Sequence, residues 1–369
     1  MTLRAENICK SYEGKVVLED LSLESEEGMF CALLGASGAG KTTLLRILAG
    51  IERPDSGRIY YDENDVTGVP VQERSIAFVY QQFVNYPSMT VYENIASPLR
   101  VSKIKRRERE IREKVHGVAE LLGLQDVLQQ LPEQVSGGQR QRCAIARALI
   151  KEARFTFLDA PLANLDYKLR EELRSELKQV FGGAGQSGER GVIVYATPEP
   201  LDALMMATHV GFLHDRTVLQ FGEVQDVYQR PLHAAVAEYF SYPPMNLIEC
   251  TVENERDRGV LRVTKALKVD SGIGRDRLNE DRYLLGIRPH HLDLRPTHEH
   301  MIPFSAKVEL AEVVGSNTEL HLVHENLRLR LFLDRVESFS VGDEVTPYID
   351  PAEVYLFSKT TGKFVTKTS

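Results

Sequence analysis

Gly35-Ala36-Ser37-Gly38-Ala39-Gly40-Lys41-Thr42 reads G-x-x-x-x-G-K-[ST], with Thr43 directly behind it. The glycines let successive backbone N–H groups turn inward around phosphate oxygens. Lys41 reaches the terminal phosphates as a point charge, and the Thr42 hydroxyl suits Mg²⁺. Met29–Leu34, just before the loop, is an apolar run of strand length, and Lys41 to about Ala49 has helical spacing. Strand, glycine loop and helix, in that order, predict a nucleotide-binding α/β fold.

Outward from this loop, Val16–Leu18, Phe155–Leu158 (ending on Asp159) and Val192–Tyr195 read as further short strands. Leu165, Leu169, Leu173, Leu177 and Val180 recur at helical spacing, and Gly182–Gly191 reads as a flexible turn. Residues 88–150 read as a mostly helical subdomain. Its stretch from Lys103 to Lys114 interleaves basic and acidic residues, as a solvated helix face with i,i+4 pairs does. After about residue 235 the pattern changes to short strands: Asn246–Val252, Val260–Val263, Tyr283–Ile287, Ala306–Leu310, Glu319–Val323, Leu327–Leu333 and Glu353–Phe357. Two domains are expected, an α/β domain over 1–235 and an all-β domain over 236–369, with the break near Ser241-Tyr-Pro-Pro.

The chain has 369 residues, enough for two domains, and 43% hydrophobic residues, enough to bury a core in each. The net charge of −8 argues against broad nucleic-acid binding, which is driven by phosphate neutralisation. Cys9, Cys31, Cys143 and Cys250 form no CxxC pair and read as thiols in a reducing compartment. His290, His291, His298 and His300 have no Cys or carboxylate spacing that points to a metal site. The N-terminus has no basic-then-apolar signal, and no apolar run reaches the roughly 18 residues that span a bilayer. Membrane spans, if the function needs them, are expected from other chains.

A phosphate loop alone does not separate kinase, GTPase and transporter. Val135-Ser136-Gly137-Gly138-Gln139-Arg140-Gln141-Arg142 does. It opens a helix that continues Ala144-Ile-Ala-Arg-Ala-Leu, with Ser136 as N-cap, so its start offers N–H groups and a positive dipole end to phosphate. Here the chain resembles the ATPases of ATP-binding cassette (ABC) transporters, with Val135 in place of the usual Leu. The resemblance implies an ABC-type nucleotide-binding domain that binds ATP and Mg²⁺. It implies that Tyr12 stacks on adenine, that Gly35–Thr43 holds the phosphates, and that Thr42, Gln81 and Asp159 serve Mg²⁺. Asn164 and Asp166 match the D-loop. ATP is then expected between two cassettes, with Ser136, Gly137, Gly138 and Gln139 facing the partner's nucleotide, and membrane subunits docking around Phe83–Tyr92.

Pro243-Pro-Met-Asn-Leu-Ile, Gly286-Ile-Arg-Pro-His-His-Leu and Ala311-Glu-Val-Val-Gly-Ser-Asn-Thr-Glu extend the resemblance. They are similar to the TOBE-type, OB-like regulatory β domain of importers for sugars, polyols and glycerol phosphate. That implies a second ATPase subunit, two transmembrane permease subunits and, indirectly, a periplasmic solute-binding protein as partners. It also implies a peripheral position on the cytoplasmic face of the inner membrane.

Two positions depart from the family. Ala160 stands where a glutamate normally polarises the attacking water, and loss of a positioned base typically costs roughly 10²–10⁴-fold in rate. In Ala196-Thr197-Pro198-Glu199-Pro200 the usual histidine is replaced by Pro198, or by Thr197 in a register shifted by one. His209 comes too late and reads as structural. The expectation is a degenerate ATP site in a heterodimer whose partner site is completed by this chain's signature. The block Asn164-Leu-Asp-Tyr-Lys-Leu-Arg and the Thr-Pro-Glu-Pro loop are similar to the paired ATPase subunits of bacterial glycerol importers. The alternatives are a competent homodimeric sugar-importer ATPase in which Ala160 is an engineered trap, and a non-transport ABC ATPase.

Overall fold

A computed structural model describes every residue except Lys103, Asn164, 183–190, Arg256, Asp257, Arg275, Arg277 and Ser369. The chain divides into two compact units, Met1–Gln225 and Asp226–Ser369.

The first unit begins with β1 (Thr2–Tyr12), β2 (Lys15–Glu26) and β3 (Phe30–Leu34), then α1 (Lys41–Ala49), β4 (Ser56–Tyr61), β5 (Asn64–Asp65) and β6 (Ile76–Val79). Three helices follow: α2 (Val91–Arg100), α3 (Glu108–Leu121) and α4 (Gly137–Leu149). The chain returns through β7 (Phe155–Asp159), α5 (Tyr167–Leu177), β8 (Val192–Thr197), α6 (Pro200–Met206), β9 (His209–His214) and β10 (Thr217–Glu223).

One sheet has the order β10-β9-β3-β8-β7-β6, with β9, β3, β8, β7 and β6 parallel. All five residues of β3 are buried, as in a strand covered on both faces. A second, antiparallel sheet has the order β2-β1-β4-β5. Leu3, Ala5, Leu21, Leu23 and Ile59 from that sheet share one core with Leu44, Leu45 and Leu48 of α1 and Phe155 and Phe157 of β7.

Two expectations needed correction here. Before Met29 the residue pattern set bounds for a strand only at Val16–Leu18, whereas β2 runs to Glu26 and pairs with a long β1 whose bounds the strand-and-turn pattern of residues 1–34 did not give. Register shifts in that pairing and a left-handed Asp20 (φ 46°) break the strict alternation that would have marked both strands. The charged stretch from Lys103 is not helical from its start either. α3 begins at Glu108, where the Glu110 carboxylate accepts from the Arg107 N–H at 3.2 Å and acidic side chains suit the positive end of the helix. The expected turn at Gly182–Gly191 falls largely outside the described residues.

Helix α7 (Val224–Gln229) spans the division between the units, and α8 (Ala234–Tyr239) lies in the second. Ala234 and Ala237 of α8 pack with Met245, Tyr355 and Phe357, which places the whole of α8 in the second unit, whereas the expected boundary at 235/236 cuts through it. The second unit continues with β11 (Asn246–Glu255), β12 (Arg258–Arg262), β13 (Lys268–Gly274), β14 (Arg282–Ile287), β15 (Leu292–Asp293), β16 (Ile302–Pro303) and β17 (Ala306–Val314). It ends with β18 (Asn317–His324), β19 (Leu327–Leu333), β20 (Glu344–Val345), β21 (Tyr348–Ile349), β22 (Val354–Ser358) and β23 (Phe364–Lys367). Its sheets have the orders β13-β12-β11-β14-β22-β23, β19-β18-β17-β20 and β15-β21-β16, and a single apolar core draws on all three. The fold is thus an α/β unit followed by a unit that is all-β from Asn246 onward, apart from short 3₁₀ turns.

Candidate nucleotide site

Four parallel strands end at one edge of the large sheet. β3 runs into Gly35, β6 leads through Tyr80 to Gln81, β7 delivers Asp159 and Ala160, and β8 delivers Thr197 and Pro198. Residues far apart in sequence therefore meet at the carboxyl edge, where open α/β sheets bind ligands.

Packing against the protein demands glycine at both ends of the loop from Gly35 to Gly40. A side chain at Gly35 would place its Cβ 2.5 Å from the Leu213 carbonyl oxygen, and one at Gly40 would lie 2.8 Å from Leu18 Cδ2. Gly38 and Gly40 also hold left-handed backbone, φ 82° and 99°. Ala36 and Ser37 at the loop crest are exposed, and Ala39 is half-buried. Buried Lys41 folds back over the loop, its Nζ donating to the carbonyls of Gly35 (2.6 Å) and Ala36 (2.8 Å). Burial pushes its ammonium below the ordinary lysine value, while the Asp159 charge opposes the shift.

Thr42 Oγ1 donates to Asp159 Oδ1 at 2.9 Å. Burial raises the Asp159 carboxyl above the usual range, against the Thr42 hydrogen bond and the charges of Arg46 and Lys41. A hydroxyl and a carboxylate in contact beneath a phosphate cradle are a donor set that suits Mg²⁺, a hard cation that takes oxygen ligands and keeps several waters. Gln81 is exposed, two residues beyond β6, on the strand next to β7.

Tyr12 lies 42% exposed at the end of β1 and lines a cleft of about 550 Å³ with Lys15, Val17, Gly38, Ala39 and Arg216. Its hydroxyl donates to Glu52 Oε1 at 2.5 Å, which fixes the ring's orientation. This contact was not legible from the residues around position 12, because Glu52 comes from beyond α1.

Ala160 has left-handed backbone (φ 43°), and its N–H donates to the Ala196 carbonyl at 2.9 Å. This bond ties the end of β7 to the end of β8, where Pro198 follows Thr197. His209 begins β9, whose parallel pairing with β3 puts that residue at the opposite edge of the sheet.

The signature segment forms the start of α4. Ser136 Oγ accepts from the Gln139 N–H at 3.2 Å, and Gln139 Oε1 accepts from the Ser136 N–H at 2.9 Å, a reciprocal capping box. Ser136 is exposed and Gly137 half-buried, whereas Gly138 is buried, since a Cβ there would lie 2.8 Å from Leu169 Cδ2. Asp166 caps α5 by accepting from the Leu169 N–H at 3.0 Å. Asn164 lies outside the described residues.

Sequence reasoning missed a buried ionic cluster behind Pro198, formed by Arg174, Tyr195, Thr197 and Asp202. It also missed a groove of about 500 Å³ lined by Phe78, Tyr80, Val84, Tyr86, Met89 and Val101, with Arg147 and Lys151 at its basic side. The groove overlaps the expected docking region Phe83–Tyr92.

Residues 18–163 match the family model of ABC transporters, and residues 285–357 match that of the TOBE domain. The trehalose/maltose import ATP-binding protein MalK of Thermococcus litoralis is 34% identical over 98% of this chain and 99% of its own length. The sn-glycerol-3-phosphate import ATP-binding protein UgpC of Yersinia enterocolitica is 32% identical over 98% of both chains. Among solved structures, the ATP-binding cassette MJ0796, a dimer bound to ADP and Pi in a post-hydrolysis state, superposes with a TM-score of 0.54 at 28% identity. It covers 60% of this chain and 98% of its own. On its nucleotide loop, its signature helix and these full-length similarities, the chain belongs to the ATP-binding subunits of the ABC transporter family that carry a C-terminal TOBE domain.

Proposed function

We propose that this chain is the ATP-binding, energy-coupling subunit of an importer for a sugar or polyol, that its own ATP site is degenerate, and that its signature completes a site on a different cassette. The import function has its support in the whole-length similarity to MalK and UgpC. The narrower choice of glycerol has its support in the Asn164–Arg170 block and the Thr-Pro-Glu-Pro loop.

Gly35–Thr43 would hold the phosphates of ATP, Tyr12 would stack on the base, and Thr42, Asp159 and Gln81 would serve Mg²⁺. Bound Mg²⁺ spreads the negative charge of the phosphates. Lys41, partly desolvated, presents a strong cation to them. At the end of β7, however, the Ala160 methyl can neither take a proton nor orient a water, and Pro198 offers no imidazole. Position 160 is the observation that carries the degenerate-site reading. The exposed Ser136 and half-buried Gly137 at the start of α4 leave the helix N-terminus open to a partner's nucleotide.

The groove beside α2 suits an apolar element of a permease subunit, with exposed Val84, Tyr86 and Met89 on its wall. Among the described residues no helix is long and apolar enough to cross a membrane, which fits peripheral attachment through such permeases.

The test is to purify the intact complex and identify its subunits, then assay the chain alone. A second, distinct cassette with two permeases, and little turnover by this chain, is expected. A complex holding two copies of this chain, or turnover matching an ordinary cassette, would refute the heterodimer with a degenerate site.

A further inference from the structure

Residues 94–107 contain five Lys or Arg and no Asp or Glu, in a chain whose net charge is −8. As a sequence this run merges with the mixed charges that follow it. The structure separates the two. The acidic residues begin at Glu108, on α3, whereas the described residues between α2 and α3 are loop.

Arg100, the last residue of α2, donates to Glu108 Oε1 at 2.7 Å and so closes the base of this loop. Arg106 pairs with Glu152 at 3.5 Å. Lys105 and Arg107 are exposed, and neither side chain makes an ion pair with a carboxylate among the described residues. Beside them stand two of the more exposed branched apolar side chains of the molecule, Val101 at 84% and Ile104 at 65%. Val101 also lines the groove next to α2, so the loop continues the surface assigned above to a permease.

Exposed Val and Ile among unpaired cations fit an anionic bilayer surface better than any other polyanion. Basic side chains gain from acidic headgroups, and short branched side chains gain by entering the boundary between headgroup and acyl chain. Nucleic acid rewards only the charge. We propose that Val101, Ile104, Lys105 and Arg107, between α2 and α3, rest on anionic lipid headgroups, with Lys105 and Arg107 supplying charge and Val101 and Ile104 the apolar contact. The orientation toward a membrane rests on the permease reading of the groove, but the contact itself does not need a permease.

The full chain should be sedimented with vesicles of phosphatidylcholine, alone or mixed with phosphatidylglycerol. Binding is expected only to the mixed vesicles and should weaken as salt rises. Lys105→Glu combined with Arg107→Glu should weaken it by more than about tenfold, at about fivefold for each basic group lost. Val101→Ser combined with Ile104→Ser should weaken it severalfold without changing the salt dependence. All four positions are exposed, so the thermal melt of each variant should match the parent. Equal binding to neutral vesicles, no binding to either, or indifference to both double variants would overturn the proposal. So would vesicle binding that ignores the apolar variant while duplex DNA competes for the same cations, which would make the loop a general polyanion site. Loss of permease association in detergent, with vesicle binding intact, would count against the permease reading alone.

Discussion

Arg174 donates to Oδ1 of Asp202 from both Nε (2.9 Å) and Nη2 (2.7 Å), and the two side chains are 5% and 2% exposed. Oδ2 of the same carboxylate accepts from the Tyr195 hydroxyl at 2.8 Å and the Thr197 hydroxyl at 2.9 Å. Thr197 Oγ1 in turn accepts from the Glu199 N–H at 3.0 Å. The turn that carries Pro198 is therefore held to α5, and every lone-pair direction the buried carboxylate offers is used. Removing Asp202 takes two hydrogen bonds from the buried Arg174, leaves Glu171 as its remaining carboxylate partner, and deprives the Tyr195 and Thr197 hydroxyls of this acceptor. Asp202→Ala is expected to cost about 3–5 kcal/mol in the stability of the first unit, and Thr197→Val only about 1 kcal/mol. Denaturant unfolding of both variants checks the ranking.

Lys41 makes its hydrogen bonds to the loop carbonyls of Gly35 and Ala36 from a buried position. Lys41→Ala should weaken ATP binding by at least about 100-fold, the loss of two charge-assisted hydrogen bonds, with the fold intact. Equilibrium binding of a fluorescent ATP analogue with Mg²⁺ measures this. Unchanged affinity would mean that the phosphates bind elsewhere.

Ala160→Glu restores a carboxylate but not the missing imidazole at Pro198. In the assembled transporter it should raise ATP turnover by less than about threefold. Ser136→Ala, which removes the cap of α4 at the face proposed to meet a partner's nucleotide, should lower turnover by about tenfold or more. Steady-state turnover of the two variants decides the matter, and the reverse order would favour a symmetric pair of sites.

In the second unit, hydrogen bonds from Arg262 and then Lys268 hold the Glu253 carboxyl down at about 2, against an ordinary 4.5. A depressed folded value stabilises the fold above the unfolded value, and that contribution fades as pH falls from 4.5 toward 2. Glu253→Gln should thus destabilise the unit slightly near neutral pH and not at all near pH 2. Melting curves across that range, at low and high salt, report the difference, which salt should shrink because the pair faces solvent.

The sequence by itself determined what is local. Gly35–Thr43 is contiguous, and its glycines and lysine act through backbone and side chains only a few residues apart. Ser136 and Gln139 cap each other within one helical turn. Leu327–Leu331 alternates strictly, and the run to Leu333 forms β19 with the expected bounds. The proposal of a degenerate site rests on residue type alone, because alanine at position 160 has no carboxylate. Tertiary structure decided what depends on strand order. The parallel sheet brings Gln81, Asp159, Ala160 and Thr197 to one edge although well over a hundred residues separate the first from the last. The same holds for Glu52 on Tyr12, and for Asp202 answering Arg174 from another helix. It also holds for the start of α3 at Glu108, where a helix-end carboxylate outweighs the helical charge pattern upstream. Charge and hydrogen-bond partners chosen across the fold leave no periodic trace in the chain, because their spacing is set by packing and not by the repeat of a helix or a strand.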